Sequence, residues 1–348
     1  MNWQVQSIIL ISELAAGAVL FRFFIPFFRR VKTGRFDLYI GDRFKKDGSE
    51  PKFAGLVMAL VMLIGIVITI VGMRSSEELS GSREALTQGY IAAAAVVLLI
   101  TATGLTDDYN KETKRGIGLK ISVVVIIELV VCLGFSYILT KTGMADTKLL
   151  LPFHIGNVEL GFIFYPLTAV LMTVIINLTE LHDCPGGVTE YGCDGLCAMT
   201  AMMFSLACAG ACAMYRWLEM PQMLAVITAG CCSAYMIFGI SPAKMYLGQS
   251  GSRFLGAMLA VITVTTNMPL VFLCSGIVLV AEGVCTLVGH LVFRHKKQLL
   301  FKGLTLHGHL RSRGWGDYRI MAVSSVVTLI GSAGLFAYAS YADGIIIR

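Results

Sequence analysis

Long apolar runs interrupted by short polar, often charged, stretches dominate this chain. Runs of about 16 to 26 residues match the ~20 residues a helix needs to cross a ~30 Å hydrocarbon core, some of them only with a flanking turn. They fall near residues 6–28, 53–73, 89–105, 119–139, 161–178, 195–215, 221–240, 251–266, 268–293 and 319–340. The pattern predicts an all-α polytopic membrane protein of about ten transmembrane helices. Residues 1–348 are expected to form one integral-membrane domain. The split at Asn267-Met268-Pro269 is the softest of the boundaries.

Composition agrees. The chain is 56% hydrophobic and 14% charged, well below the quarter charged that soluble domains carry. Its first span lacks a basic leader and runs into a cationic loop, so a cleaved signal peptide is not expected. Most of the ten cysteines lie in apolar runs, where they act as small hydrophobes. His182, Cys184, Cys193 and Cys197 would suffice chemically for zinc, but their spacing matches no common finger. Reduced thiols are the simpler expectation.

Charge sets orientation. Of 28 Lys and Arg residues, 21 fall on the odd-numbered loops and six on the even loops and C-terminal tail, with Arg22 inside the first helix. Lys244 and Arg253 are counted here with the loop charges. The positive-inside rule then makes the odd loops cytoplasmic and both termini external. Four unusual polar stretches share that face: "GLTDDYNKETKRG", "NLTELHDCPGGVTEYGCDGL", "LGQSGS" and "HGHLRSRGW". One composite cytoplasmic site is the natural reading.

The chemistry of these stretches is consistent. Asp107-Asp108 are adjacent carboxylates at a helix end, which a hard cation such as Mg²⁺ would reconcile, and Lys111 just downstream suits phosphate. The second stretch holds Glu180, Asp183, Glu190 and Asp194 with no Lys or Arg. Asp194 is also placed to cap the next helix. His307 and His309 lie among cations that attract phosphorylated substrates. Glu13, Glu128 and Glu282 interrupt apolar runs and should face the bundle interior.

In order along the chain, these motifs resemble the polyprenyl-phosphate N-acetylhexosamine-1-phosphate transferases, most closely the phospho-N-acetylmuramoyl-pentapeptide transferase branch. "KKDGSEPKFAGL" is similar to that family's first cytoplasmic element, through Lys46, Gly48, Ser49, Pro51 and Gly55. "GLTDDYNK" matches its DDY signature, and "GIGLK" is similar to the stretch that follows. "NLT" and "CDGL" resemble NLTDGLDGL opened by an insertion after Thr179. "SPAKMYLGQSGSRFLGA" resembles YPAQVFMGDxGSLALGG, "LVAEGVCTLV" the VVETLSVI helix, and "FKGLTLHGHLRSRGW" resembles FRMAPIHHHxELKGW.

The resemblance implies a ten-helix enzyme of the inner (plasma) membrane in which undecaprenyl phosphate attacks the β-phosphorus of UDP-MurNAc-pentapeptide, giving lipid I and UMP. It implies Mg²⁺ or Mn²⁺ as cofactor, with Asp107, Asp108 and Asp194 as catalytic and metal-holding residues and Gln249 in a metal-ligand slot. Lys46, Lys111, Asn177, His307 and His309 would bind substrate. Membrane lipid is an expected partner and nucleic acid is not. A homodimer, and other lipid-linked cell-wall enzymes as neighbours, stay open.

Three departures fall on the implied site. Gln249 stands where the family has a metal-binding aspartate, Gly239 replaces an asparagine, and His307-Gly308-His309-Leu310-Arg311 replaces HHHxE. Glu180, Asp183 or Glu190 could restore the missing charge. Two other readings therefore remain beside the transferase. One is a catalytically impaired relative that binds lipid phosphate or nucleotide; the other is a transferase for a different UDP-N-acetylhexosamine. A transporter has only hydrophobicity behind it, since no inverted repeat is evident.

Overall fold

The computed structural model describes residues 3–30, 50–74, 80–113, 118–151, 156–183, 193–296 and 305–346. Helices dominate: α1 (Trp3–Arg30), α2 (Ala54–Arg74), α3 (Ser80–Thr113), α4 (Ile121–Lys141), α5 (Phe164–Asp183), α6 (Leu196–Cys212), α7 (Glu219–Gly239), α8 (Gly248–Thr265), α9 (Val271–Ser275), α10 (Ile277–Lys296), α11 (Leu306–Ser312) and α12 (Asp317–Ile346). A backbone in lipid must satisfy its own polar groups, and helices do so internally. The one sheet among the described residues is a two-stranded antiparallel ribbon, β1 (Lys148–Leu151) with β2 (Gly156–Glu159), pairing Leu149 with Val158. It is a minor exception to the all-α expectation.

Eight of these helices are long and apolar enough to cross a membrane: α1 to α5, α7, α10 and α12. The protein is thus a multi-pass membrane protein. The two remaining expected spans are present but different in kind. At 17 residues, α6 is short. The other, α8, opens on the polar sequence Gly-Gln-Ser-Gly-Ser-Arg, and all 18 of its residues are buried. It is the central post of the bundle, packed on α2, α3, α5 and α7. The expected single helix over 268–293 is instead broken. Gly276 ends α9, its N–H bonding Phe272 O at 2.8 Å, and α10 restarts at Ile277. A short helix, α11, forms over Leu306–Ser312, capped by the Thr305 hydroxyl, which accepts from Gly308 N at 3.0 Å.

The three acids inside apolar runs all face inward, with Glu13 and Glu128 fully buried and Glu282 nearly so. One expectation fails. Arg253, counted with the loop charges, lies 5% exposed inside α8. Its guanidinium is solvated by carboxylates instead of water, which lets a helix read as apolar begin with an arginine.

Candidate active site at one end of the bundle

Four polar stretches meet at one end of the bundle, as their common face required. The join begins where α3 ends. Asp108 accepts from Gln249 N at 2.9 Å through Oδ1 and from Ser250 N at 2.8 Å through Oδ2. These are first-turn amides of α8, which have no partner within their own helix. A carboxylate there caps the helix and faces its positive dipole end. Gly248 permits the approach. Its φ of +69° is left-handed, and a Cβ would run into Lys52 O and the Asp108 carboxylate. Gly104 matters for a related reason, because a Cβ there would lie 2.6 Å from Gln249 O.

Asp107 turns the other way. Its Oδ1 accepts from Leu119 N at 2.5 Å and its Oδ2 pairs with Lys111 at 2.6 Å, one helical turn on. Lys111 remains 41% exposed and is therefore held at the water-facing rim. Adjacent carboxylates thus have separate tasks: Asp108 ties α3 to α8, and Asp107 fixes a cation and the entry to α4.

The acid-rich stretch contributes from α5 and the start of α6. Asp183, at the end of α5, lies within electrostatic reach of Asp108, Glu180 and Asp194. No Lys or Arg pairs with Asp183 among the described residues. Neighbouring carboxylates repel one another, and a hard cation eases the conflict. Mg²⁺ is held through one or two carboxylates plus substrate phosphates and keeps several waters. The open grouping of Asp108, Asp183 and Asp194 fits that habit. No trio of these acids forms a closed cage with ligand oxygens within 4.8 Å of one another among the described residues.

Glu180 is neutralised by another route. Arg253 Nη2 lies 2.9 Å from Glu180 Oε2, and Nη1 lies 3.2 Å from Glu128 Oε1. The same side chain reaches Gln249 Oε1 at 3.4 Å through Nε. Gln249 therefore offers its side-chain oxygen to Arg253. Asn177 belongs to the same network, its Nδ2 donating to Glu128 Oε2 at 2.8 Å and to Thr173 O at 2.8 Å. Both residues expected to meet metal or substrate are engaged inside the protein. The expectation missed Arg253 because an arginine beside a loop reads as a loop charge.

The histidine stretch closes the site. Glu282 in α10 accepts from Leu306 N at 3.0 Å and His307 N at 2.8 Å, seating α11. His307 is buried, while His309 is half-buried. Arg311 pairs with Asp317 at 2.6 Å, and Arg319 stacks over Trp315 at 4.1 Å. Arg311, which reverses a family charge, is thus held by the start of α12. The described members of the zinc set, His182, Cys193 and Cys197, form no metal-ligand group with one another among the described residues. Cys193 Sγ donates to Asp317 O at 3.8 Å and Cys197 Sγ to Thr179 O at 3.8 Å, in separate places. Burial, with Asp317 close by, pushes the Cys193 thiol up to about 12. Lys46, Cys184 and Glu190 lie outside the described residues.

Residues 90–267, which carry the acid pair, the acid-rich stretch and α8, match the family model described as Glycosyl transferase family 4. The chain belongs to glycosyl transferase family 4. Within this family it is similar to curated proteins named phospho-N-acetylmuramoyl-pentapeptide-transferase. The one from Halalkalibacterium halodurans is 27% identical over 333 residues, covering 92% of this chain and 93% of that one. The one from Bacillus licheniformis is 27% identical over 320 residues (90% and 91%), and that from Clostridioides difficile is 24% identical over 313 residues (88% and 89%). These matches run over about nine-tenths of the chain, and the protein is a phospho-sugar transferase of this family.

Proposed function

We propose that this family 4 transferase moves phospho-MurNAc-pentapeptide from UDP-MurNAc-pentapeptide to undecaprenyl phosphate, releasing UMP and giving lipid I, on the cytoplasmic face of the plasma membrane. The observation that carries the reading is the gathering of Asp108 and Asp194 within electrostatic reach of the buried Asp183 at one end of the bundle. Both substrates are anionic phosphates, one arriving through lipid and one through water. Phosphoryl transfer between them depends on position and on charge neutralisation.

Asp183 and Asp194, with Asp108 behind them, would hold Mg²⁺ or Mn²⁺. When bound, the ion supplies neutralisation of the donor's phosphate charge. The chain's own groups do the rest. Asp107 steers the Lys111 ammonium toward the entering phosphate, and His309 with the cationic rim of α11 and α12 faces the pyrophosphate. The Asp108 cap keeps α3 and α8 in register so that these groups stay in place. A phosphate oxygen of the lipid forms the new P–O bond, and the P–O bond to UMP breaks with its electron pair leaving on the nucleotide. Lys46, outside the described residues, is proposed as a further phosphate contact, and residues 1–348 as one catalytic domain.

A second reading is favoured by one contact. Gln249 Oε1 faces Arg253 Nε at 3.4 Å, so the slot that carries a metal-binding aspartate in the resembling family is tied to a fixed internal cation. That arrangement suits a weakened relative that binds lipid phosphate or nucleotide. UMP release by the purified chain, with both substrates and graded Mg²⁺, separates the two readings.

A further inference from the structure

His182, Glu282 and His307 come from three elements, α5, α10 and α11, and each is at most 3% exposed. Each offers one ligand atom, and these atoms all lie within 4.8 Å of one another. His307 Nδ1 lies 3.3 Å from Glu282 Oε1, and the two imidazoles meet edge to face with centroids 6.2 Å apart.

The hydrogen bonds around His182 define its tautomer. Thr200 Oγ1 donates to Leu196 O at 3.1 Å or Cys197 O at 3.0 Å, spending its proton on its own helix. Its lone pair is then what faces His182 Nε2 at 3.1 Å. Nε2 therefore carries the hydrogen, and Nδ1 carries a bare lone pair. That Nδ1 is buried and has no hydrogen-bond partner, while the only group facing His307 Nδ1 among the described contacts is the Glu282 carboxylate, 3.3 Å away. Buried polar atoms are nearly always satisfied, so an orphaned His182 Nδ1 within 4.8 Å of a carboxylate and a second imidazole calls for a ligand shared by all three.

Glu282 has capacity left. A carboxylate has about four lone-pair sites, and the Leu306 and His307 amides use two of them. From this geometry we propose that His182, Glu282 and His307 form a divalent transition-metal site, with Zn²⁺ the best match. Two imidazoles and one carboxylate with a fourth position open are a zinc donor set, and imidazole selects against Mg²⁺. Thr200 is the outer partner that orients the His182 ring, the role a hydrogen-bonded group plays behind a ligating histidine. The site is separate in donor chemistry from the all-oxygen group of Asp108, Asp183 and Asp194, and it pins α11 to α5 and α10. Its existence does not depend on which sugar nucleotide the enzyme uses.

Binding is tested without substrate. The detergent-purified full chain is stripped with chelator, dialysed and titrated with Co²⁺ alone, then with Zn²⁺ in competition. The site predicts one equivalent of Co²⁺ with the strong visible bands of four-coordination, displaced by Zn²⁺ and not by excess Mg²⁺. His182→Gln, Glu282→Gln and His307→Gln should each remove the bands, while Thr200→Val should weaken binding about 10–100-fold and keep them. Each variant's elution profile and thermal transition establish that it is folded. Should Glu282→Gln unfold by loss of the α11 seat, His182→Gln decides alone, since His182 caps nothing. Absence of Co²⁺ uptake by the native chain, or full uptake by folded His182→Gln, would overturn the proposal.

Discussion

Arg253 Nη2 lies 2.9 Å from Glu180 Oε2, inside a helix bundle where each would be costly alone. The pair joins α8 to α5, and Glu128 on α4 completes a three-helix lock at 3.2 Å. Removing one partner of such a group leaves a buried charge uncompensated, which costs about 3–5 kcal/mol. Arg253→Leu should therefore lower the thermal transition in detergent steeply. Arg253→Leu with Glu128→Leu and Glu180→Gln should recover much of that loss, because no carboxylate of the group is then left without its cation.

Asp108→Asn replaces one acceptor oxygen by an NH₂ group facing backbone N–H groups at Gln249 and Ser250. Loss of a helix cap costs about 0.5–2 kcal/mol. The fall in UMP release should exceed what that instability explains, by about tenfold or more, since the acid group also loses a charge. Comparing turnover with the fraction folded at each temperature checks it.

Gly248→Ala forces a Cβ into a left-handed backbone, with the Asp108 carboxylate and Lys52 O in its way. We expect a cost of about 1–2 kcal/mol and a drop in turnover close to that of Asp108→Asn. Intact turnover in a stable Gly248→Ala would detach the α8 turn from catalysis.

Gln249→Asp by itself should gain little, because Arg253 stands ready to pair with the new carboxylate. Gln249→Asp combined with Arg253→Leu frees that carboxylate. The triple variant Gln249→Asp, Arg253→Leu, Glu128→Gln, the last to avoid a buried charge, should reach half-maximal turnover at lower Mg²⁺ than Gln249→Asp. A Mg²⁺ titration of the variants gives the order directly.

The Cys193 thiol is pushed up to about 12 by burial and by Asp317. An ordinary thiol ionises near pH 8.5, so raising the folded value favours the protonated form. This contribution to stability is complete below about pH 8.5 and is lost as pH rises from there toward the folded value. Between pH 7 and 9, Cys193 should alkylate far more slowly in the folded protein than in denaturant, as peptide mass mapping would measure.

Most of the architecture was legible because hydrophobic length reports a bilayer crossing directly. That the four polar stretches gather was legible from their common charge placement, and Asp108 with Gln249, Arg253 with Glu180 and His182 with His307 bring them together. Three features were not. The break at Gly276 leaves no mark in an apolar run. Arg253 could be recognised as interior only once Glu128 and Glu180 were known to face it, a contact between residues 125 and 73 positions apart. Grouping His182 with the nearby cysteines followed sequence proximity, whereas its real neighbours, Glu282 and His307, lie far along the chain. Pairings of that kind are set by packing, which one-dimensional spacing does not encode.

The central claim is tested by UMP release from the purified chain with undecaprenyl phosphate and UDP-MurNAc-pentapeptide, after chelation and stepwise return of Mg²⁺. The account predicts release that needs both substrates and Mg²⁺ and that falls sharply in Asp183→Asn. Release that ignores Mg²⁺, or silence from the native chain with activity gained only when Gln249 becomes aspartate and Arg253 is removed, would contradict it.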